Sequence, residues 1–277
     1  MRHPERERRR IAQLRRRRPD LEELLEFLDR IAQHAAELIP ERFDAPLPSD
    51  GSHAQPLDPA RFPLDEDRAA RAFETFLDAF PADAESPAAT APERVETLAL
   101  EPRAACRAFL RGDPDYFLDQ EERGVAPADL VAEIALLAVK PQFIAAARAL
   151  GAVPQRVADR CPLCGSCPDL LLVVDRVDQE RVALAVCRLC ESEWPARRVR
   201  CLACGNEDPE TLSYLQVEGE EGSRVSVCGA CKTYVPVVDT RGRLEVAPAV
   251  ERAALAHLDV AAERAGYHLV GSTWLRS

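Results

Sequence analysis

The chain has 277 residues, 47% of them hydrophobic, which is enough for one large domain or two ordinary ones around a packed core. Its 36 basic and 47 acidic residues leave a net charge of -11, the wrong sign for a protein whose main task is gripping phosphate backbones, so nucleic acid is disfavoured as principal partner. No apolar run of signal-peptide length precedes Pro19 and no membrane span is expected. Ten cysteines without an export signal point to the cytoplasm, where clustered thiols more often hold metals than form disulfides.

The first twenty residues carry nine arginines and read as a solvated lead-in. Asp20, followed by Glu23, resembles a capping box, and Leu21, Leu24, Leu25, Leu28, Ile31 and Ala35 recur at helical spacing until Pro40 closes the helix. Residues 40 to 64 hold six prolines and are expected as a surface loop. A second helix begins near Asp65, with Phe73, Phe76, Leu77 and Phe80 on one side, and a third runs from about Pro92 to Arg111 with Cys106 as a small core residue. The apolar, alanine-rich stretch from Pro127 to Leu150 supplies the central helices of a bundle, kinked or divided at Pro141.

After Gly151 short β-prone runs appear between cysteine pairs, at 170–175, 181–187, 211–217, 224–228 and 233–238, and a last helix spans about Pro248 to Ala265, ended by Gly266. The expected fold class is α+β: a helical N-terminal domain (1–155), a tandem rubredoxin-like or zinc-ribbon β module (156–246), and a C-terminal helix and tail (247–277).

Four Cys-x-x-Cys pairs lie in this module: Cys161/Cys164, Cys187/Cys190, Cys201/Cys204 and Cys228/Cys231. The first and third pairs are offset by 40 residues and the second and fourth by 41, so the module is two copies of one unit. Within each copy, 22 or 23 residues with two strand-like runs separate the pairs, a hairpin that returns its ends to one place. The expected ligand sets are therefore Cys161, Cys164, Cys187 and Cys190 for one ion, and Cys201, Cys204, Cys228 and Cys231 for another. Gly165 and Gly205 permit the sharp knuckle turn that aims backbone N–H groups at thiolate. Zinc and iron both suit four thiolates, and no histidine lies between residues 54 and 256 to make a mixed site. Cys167 has no repeat partner and reads as a bystander. Trp194 and Tyr234 are expected to pack against the metal sites, and Arg197, Arg198 and Arg200 to form a solvated basic patch on the bridge between them.

The order "CPLCGS", "CRLCESEW", "RRVRCLACGN" and "LSYLQVEGEEGSRVSVCGACKTYV" resembles the FdhE family of formate dehydrogenase accessory proteins, most clearly over residues 156 to 277 and including "AERAGY". In the helical half the resemblance rests on "LEELLEFLDRIA" and "DPDYFLDQ". It implies a non-catalytic cytoplasmic maturation factor that binds the catalytic subunit of formate dehydrogenase, with the eight cysteines above in paired rubredoxin-like sites that favour iron. The alternatives from other classes are a zinc-ribbon nucleic-acid binder and a rubredoxin-like electron carrier.

Overall fold

The computed structural model describes residues 4–18, 21–47, 55–79, 100–151, 153–175, 181–220, 222–241 and 246–272. Among these, the helical region comprises α1 (Pro4–Arg17), α2 (Glu22–Leu38), α3 (Glu66–Ala79), α4 (Pro102–Arg111), α5 (Pro114–Glu122) and α6 (Ala128–Leu150), with a short 3-10 turn at Pro59–Arg61. The sheet region contributes β1 (Pro168–Asp175), β2 (Arg181–Cys187), β3 (Glu193–Ala196), β4 (Leu212–Leu215), β5 (Ser223–Cys228) and β6 (Thr233–Asp239). The chain then adds α7 (Pro248–Ala253), α8 (Ala256–Arg264) and the two-residue β7 (His268–Leu269). The α+β class and the order helices, cysteine-bearing sheet, C-terminal helix are those read from the sequence.

Helix α6 is the spine. Val131, Ile134, Ala135, Ala138, Val139, Phe143 and Ala146 are all buried, so apolar side chains leave it in every direction, as in a helix enclosed by others. By length and composition it could cross a membrane, yet 72% of its apolar window is buried inside this fold, which makes it a core helix. Pro141 does not divide it: the turns on both sides are locked into the core by Val139 and Phe143, and that packing outweighs the roughly 3 kcal/mol an interior proline costs. The neighbouring Gln142 makes a two-way bond with the Asp65 backbone, 2.9 Å in each direction, which fixes the start of α3. Phe62 stacks on Phe143 with ring centroids 3.8 Å apart. Helix α3 then buries Ala69, Ala72, Phe73 and Phe76, its i, i+3, i+4 and i+7 face.

Several elements differ from the expectations. Asp20, Phe80 and residues 92–99 lie outside the described residues; α2 starts at Glu22, with Leu21 at its N-cap position and no side-chain cap, and α4 starts at Pro102. Helix α5 follows a break at Gly112, which sits at φ 63°, and is capped by the Asp113 carboxylate accepting from Tyr116 N–H. The sequence reading missed it because it supplies few apolar residues, chiefly Phe117. The single C-terminal helix is two, broken at Ala254–Leu255, where Leu255 turns inward to be buried beneath the sheet.

The arginine-rich lead-in is not a solvated arm. Residues 4–17 form α1, and Ile11 and Leu14 bury with Leu25, Ala247 and Val250 in a small third core. The arginines flank a narrow apolar stripe, so composition alone concealed the amphipathic helix. Arg10 forks onto Glu251 of α7 at 2.6 and 3.1 Å, with the two side chains only 11% and 5% exposed.

All seven strands form one sheet in the order β3-β2-β1-β6-β5-β4, with β7 beside β6. The repeat is visible in it: β1 follows the Cys164 knuckle as β4 follows that of Cys204, and β3 follows Cys190 as β6 follows Cys231. The two units join head to tail through the parallel pair β1 and β6, in which Leu171 lies opposite Val237. One face of the joined sheet, bearing Leu171, Val173, Ala183, Ala185, Val235 and Val237, belongs to the same core as α3, α4 and α6. The other, bearing Leu170, Leu172, Val225, Val227 and Val238, is covered by Leu255, Leu258 and Ala262. Burial on both faces explains the unbroken apolar run of β1.

Arg10→Ala leaves the buried Glu251 carboxylate without its guanidinium and is expected to destabilise the protein by about 3 kcal/mol, read as a lowered denaturant midpoint.

Candidate metal centres

Three of the Cys-x-x-Cys knuckles share one backbone bond. The first cysteine's N–H donates to the carbonyl five residues on, Cys161 to Ser166, Cys187 to Ser192 and Cys201 to Asn206, at 2.8 to 3.0 Å. The residue after the second cysteine is left-handed in all four knuckles: Gly165 (φ 76°), Glu191 (φ 57°), Gly205 (φ 77°) and Lys232 (φ 58°). The glycines were legible as turn residues; Glu191 and Lys232 were not, because they adopt a conformation their side chains disfavour by about 1–2 kcal/mol. At Glu191 an ion pair with Lys140 of α6, 3.1 Å, secures the turn, and at Lys232 the ammonium lies 5.6 Å over the Tyr267 ring.

The knuckles meet as the spacing predicts. Sulfurs of Cys161, Cys164, Cys187 and Cys190 gather in one group and those of Cys201, Cys204, Cys228 and Cys231 in another, all within 4.8 Å of one another inside each group. In the first, Cys161–Cys190 is 3.6 Å, Cys164–Cys187 3.4 Å and Cys164–Cys190 3.7 Å. In the second, Cys201–Cys231 is 3.5 Å and Cys204–Cys228 3.9 Å. A metal–sulfur bond of about 2.3 Å gives a tetrahedron with edges of about 3.8 Å, and these separations match it while being far too long for disulfides. Each group can therefore hold one divalent ion, and zinc and iron fit the four-sulfur set equally.

Backbone N–H groups aimed at sulfur were expected, while the side-chain neighbours Ser192, Asn206 and Thr233 were not legible in the sequence. The Leu189 and Cys190 N–H groups donate to Cys187 Sγ at 3.4 Å, and the Ala203 N–H to Cys201 Sγ at 3.4 Å. Ser192 Oγ sits 3.3 Å from Cys190 Sγ, and Thr233 Oγ1 lies 3.0 Å from Cys231 Sγ and 3.6 Å from Cys201 Sγ. The Asn206 amide reaches Cys228 Sγ at 3.7 Å. Burial alone would raise the Cys228 thiol, but the Cys231 N–H and the Asn206 amide prevail and bring it to about 7. Such donors compensate thiolate charge that a divalent ion cannot cancel alone.

Cys106 is buried in α4, its thiol pushed up to about 12 by desolvation and by Glu66, the state of an inert core thiol. Cys167 joins neither group. It is half-buried beside the Arg160 guanidinium and close against Gly271, where an added Cβ would lie 2.6 Å from its sulfur.

Trp194 is fully buried in the core that holds the first sulfur group and donates Nε1–H to Ala158 O at 2.9 Å, while Tyr234 lines the small cavity at the second together with Cys201 and Cys228. The basic patch is largely engaged. Arg200 forks onto Asp159 at 2.8 Å and bonds Glu207 at 2.7 Å, and Arg197 reaches the same Glu207 at 2.6 Å. The carboxylates raise the Arg200 guanidinium further above its ordinary value. Arg200 thus clasps the segment before the first knuckle to the loop after the third.

These features define a helical region carrying a duplicated tetracysteine ribbon. No family model matches the chain. It is 29% identical to the FdhE homolog of Aquifex aeolicus (strain VF5) over 107 residues, 39% of this chain and 38% of that protein. It is 33% identical to the FdhE homolog of Pectobacterium atrosepticum over 117 residues, 42% of this chain and 37% of that one. The matched stretches thus span less than half the length of these relatives. Among solved structures, the crystal structure of the FdhE protein from Pseudomonas aeruginosa matches with a TM-score of 0.62, covering 98% of this chain and 94% of that one at 22% identity, so the fold is shared. The chain is thus similar to FdhE-named proteins over about two fifths of its length and shares its fold with an FdhE crystal structure.

Gly205→Ala places a Cβ at positive φ and 2.9 Å from the Arg200 guanidinium. It is expected to cost about 1–2 kcal/mol and to raise alkylation of Cys201. Gly219→Ala, at φ 83° with nothing within 4 Å, should cost about as much while leaving Cys201 labelling unchanged.

Proposed function

We propose that the chain is a non-catalytic accessory protein of the FdhE type, which assists maturation of formate dehydrogenase by binding its catalytic subunit in the cytoplasm. In this reading Cys161, Cys164, Cys187 and Cys190 hold one metal ion, and Cys201, Cys204, Cys228 and Cys231 hold a second. The observation that carries it is the pair of tetrahedrally spaced sulfur groups within a fold shared with an FdhE crystal structure. The family resemblance favours iron, and the donor set accepts zinc as well. The ions supply cross-links between distant knuckles and, if iron, a one-electron couple. The chain's residues supply the rest: N–H and hydroxyl groups that stabilise thiolate, and left-handed turns that orient it.

A nucleic-acid role draws little support from the surface, since Arg197 and Arg200 spend their charge on Glu207 and Asp159.

Cys161→Ala and Cys228→Ala are each expected to retain about half the metal of the unaltered protein, measured by elemental analysis after preparation without oxygen. Loss of both ions from either variant would show that the two sets are not independent. The partner reading predicts that the catalytic subunit of formate dehydrogenase co-purifies with the tagged chain from its own cells, and that deleting the chain leaves the subunit made but inactive. An active enzyme in the deletion strain would overturn it.

A further inference from the structure

The two sulfur groups are copies in sequence but not in setting. Cys161, Cys164, Cys187 and Cys190 are each 1–2% exposed and belong to the main core with α3, α4 and α6. Both knuckles of that group are gripped from the helical side. Leu57 N–H donates to Leu163 O at 2.8 Å, and the Gln55 amide lies where a Cβ on Gly165 would go. On the second knuckle Arg188 pairs with Glu133 and Glu191 with Lys140, both partners on α6. Nothing short of an opening of that core would bring a reagent to these sulfurs.

In the second group Cys228 and Cys201 are buried at 2% and 7%, Cys231 is half-buried and Cys204 is exposed. Cys204 also makes the longest of the close sulfur contacts, 3.9 Å to Cys228. Its knuckle is tied down by Arg200 through Asp159 and Glu207. The closing knuckle is held from the other side by His268 N–H donating to Lys232 O at 2.8 Å. The exposed Lys232 stands beside this open edge and favours an approaching anion.

We propose that the module divides its labour: the first centre is a closed structural clamp, and the second is an exchange site at which Cys204 yields its place to an incoming thiolate, from a small thiol or a cysteine of a partner protein. In the exchange the bond from Cys204 Sγ breaks as one from the incoming sulfur forms, and the proton shed by the incoming thiol passes to Cys204. The buried Cys201 and Cys228, with Cys231, remain as a tripod, so the ion is never held by fewer than three protein sulfurs. This rests on the reading that both groups hold metal.

The test uses the full chain loaded with zinc, whose content is measured first. A chelating dye such as 4-(2-pyridylazo)resorcinol is expected to draw off one zinc per chain at least about tenfold faster than the other, and added glutathione to accelerate the fast phase alone. Cys204→Ala, loaded in the presence of glutathione, should still take up two zinc ions, with the second held by Cys201, Cys228 and Cys231 and released in the fast phase. As a check independent of variants, limited alkylation of the unaltered protein should modify Cys204 before any cysteine of the first group. Release of both ions at one rate, or first labelling at Cys161, Cys164, Cys187 or Cys190, would overturn the exchange proposal while leaving metal binding intact. Fewer than two zinc ions per loaded chain would instead count against the tetracysteine reading itself.

Discussion

The rest of the structure is organised around one demand: eight sulfurs, contributed by knuckles far apart in the chain, must be held in two groups, each within 4.8 Å, with close contacts of 3.4 to 3.9 Å. Sulfurs so close repel once ionised, and gathering them is favourable only if an ion neutralises the charge and nearby donors share what remains. Strands β1 and β2 return Cys187 toward Cys164, β4 and β5 return Cys228 toward Cys204, and the left-handed residue after each knuckle aims the second sulfur of each pair. The sheet and its core are in this sense the means by which short knuckles reach one another.

The grouping of the sulfurs was legible because its information is local and periodic: two residues between cysteines, a hairpin's worth of chain between pairs, and the same pattern again after 40 or 41 residues. The parallel joining of β1 to β6 was not legible, because the pairing of Leu171 with Val237 is decided by burial on both faces rather than by any turn signal. Strand β3 escaped notice for a related reason. Four residues containing Pro195 make a poor strand by propensity, yet at the edge of the sheet its outward side needs no ladder donor. Helix α1 shows the converse error. Seven arginines dominate its composition, while two apolar residues, Ile11 and Leu14, decide its position.

Duplication gave two copies of a unit, and head-to-tail joining placed them in different environments. The first lies buried under the helices, while in the second Cys204 is exposed and Cys231 half-buried. Identical ligand chemistry can therefore have different accessibility, set by what covers the sulfurs rather than by the sulfurs themselves.

The contact between α1 and α7 joins residues 241 positions apart, Arg10 to Glu251. During synthesis from the N-terminus, α1 leaves the ribosome long before α7 exists, and both tetracysteine hairpins can close while Ile11 and Leu14 have α2 but not Ala247 and Val250 to pack against. The α1–α7 contact therefore closes late, and the long loop it spans makes this step slow relative to the local ones. An arginine-rich helix suits such a wait, since its charge keeps an unburied apolar stripe dissolved until the far end of the chain arrives.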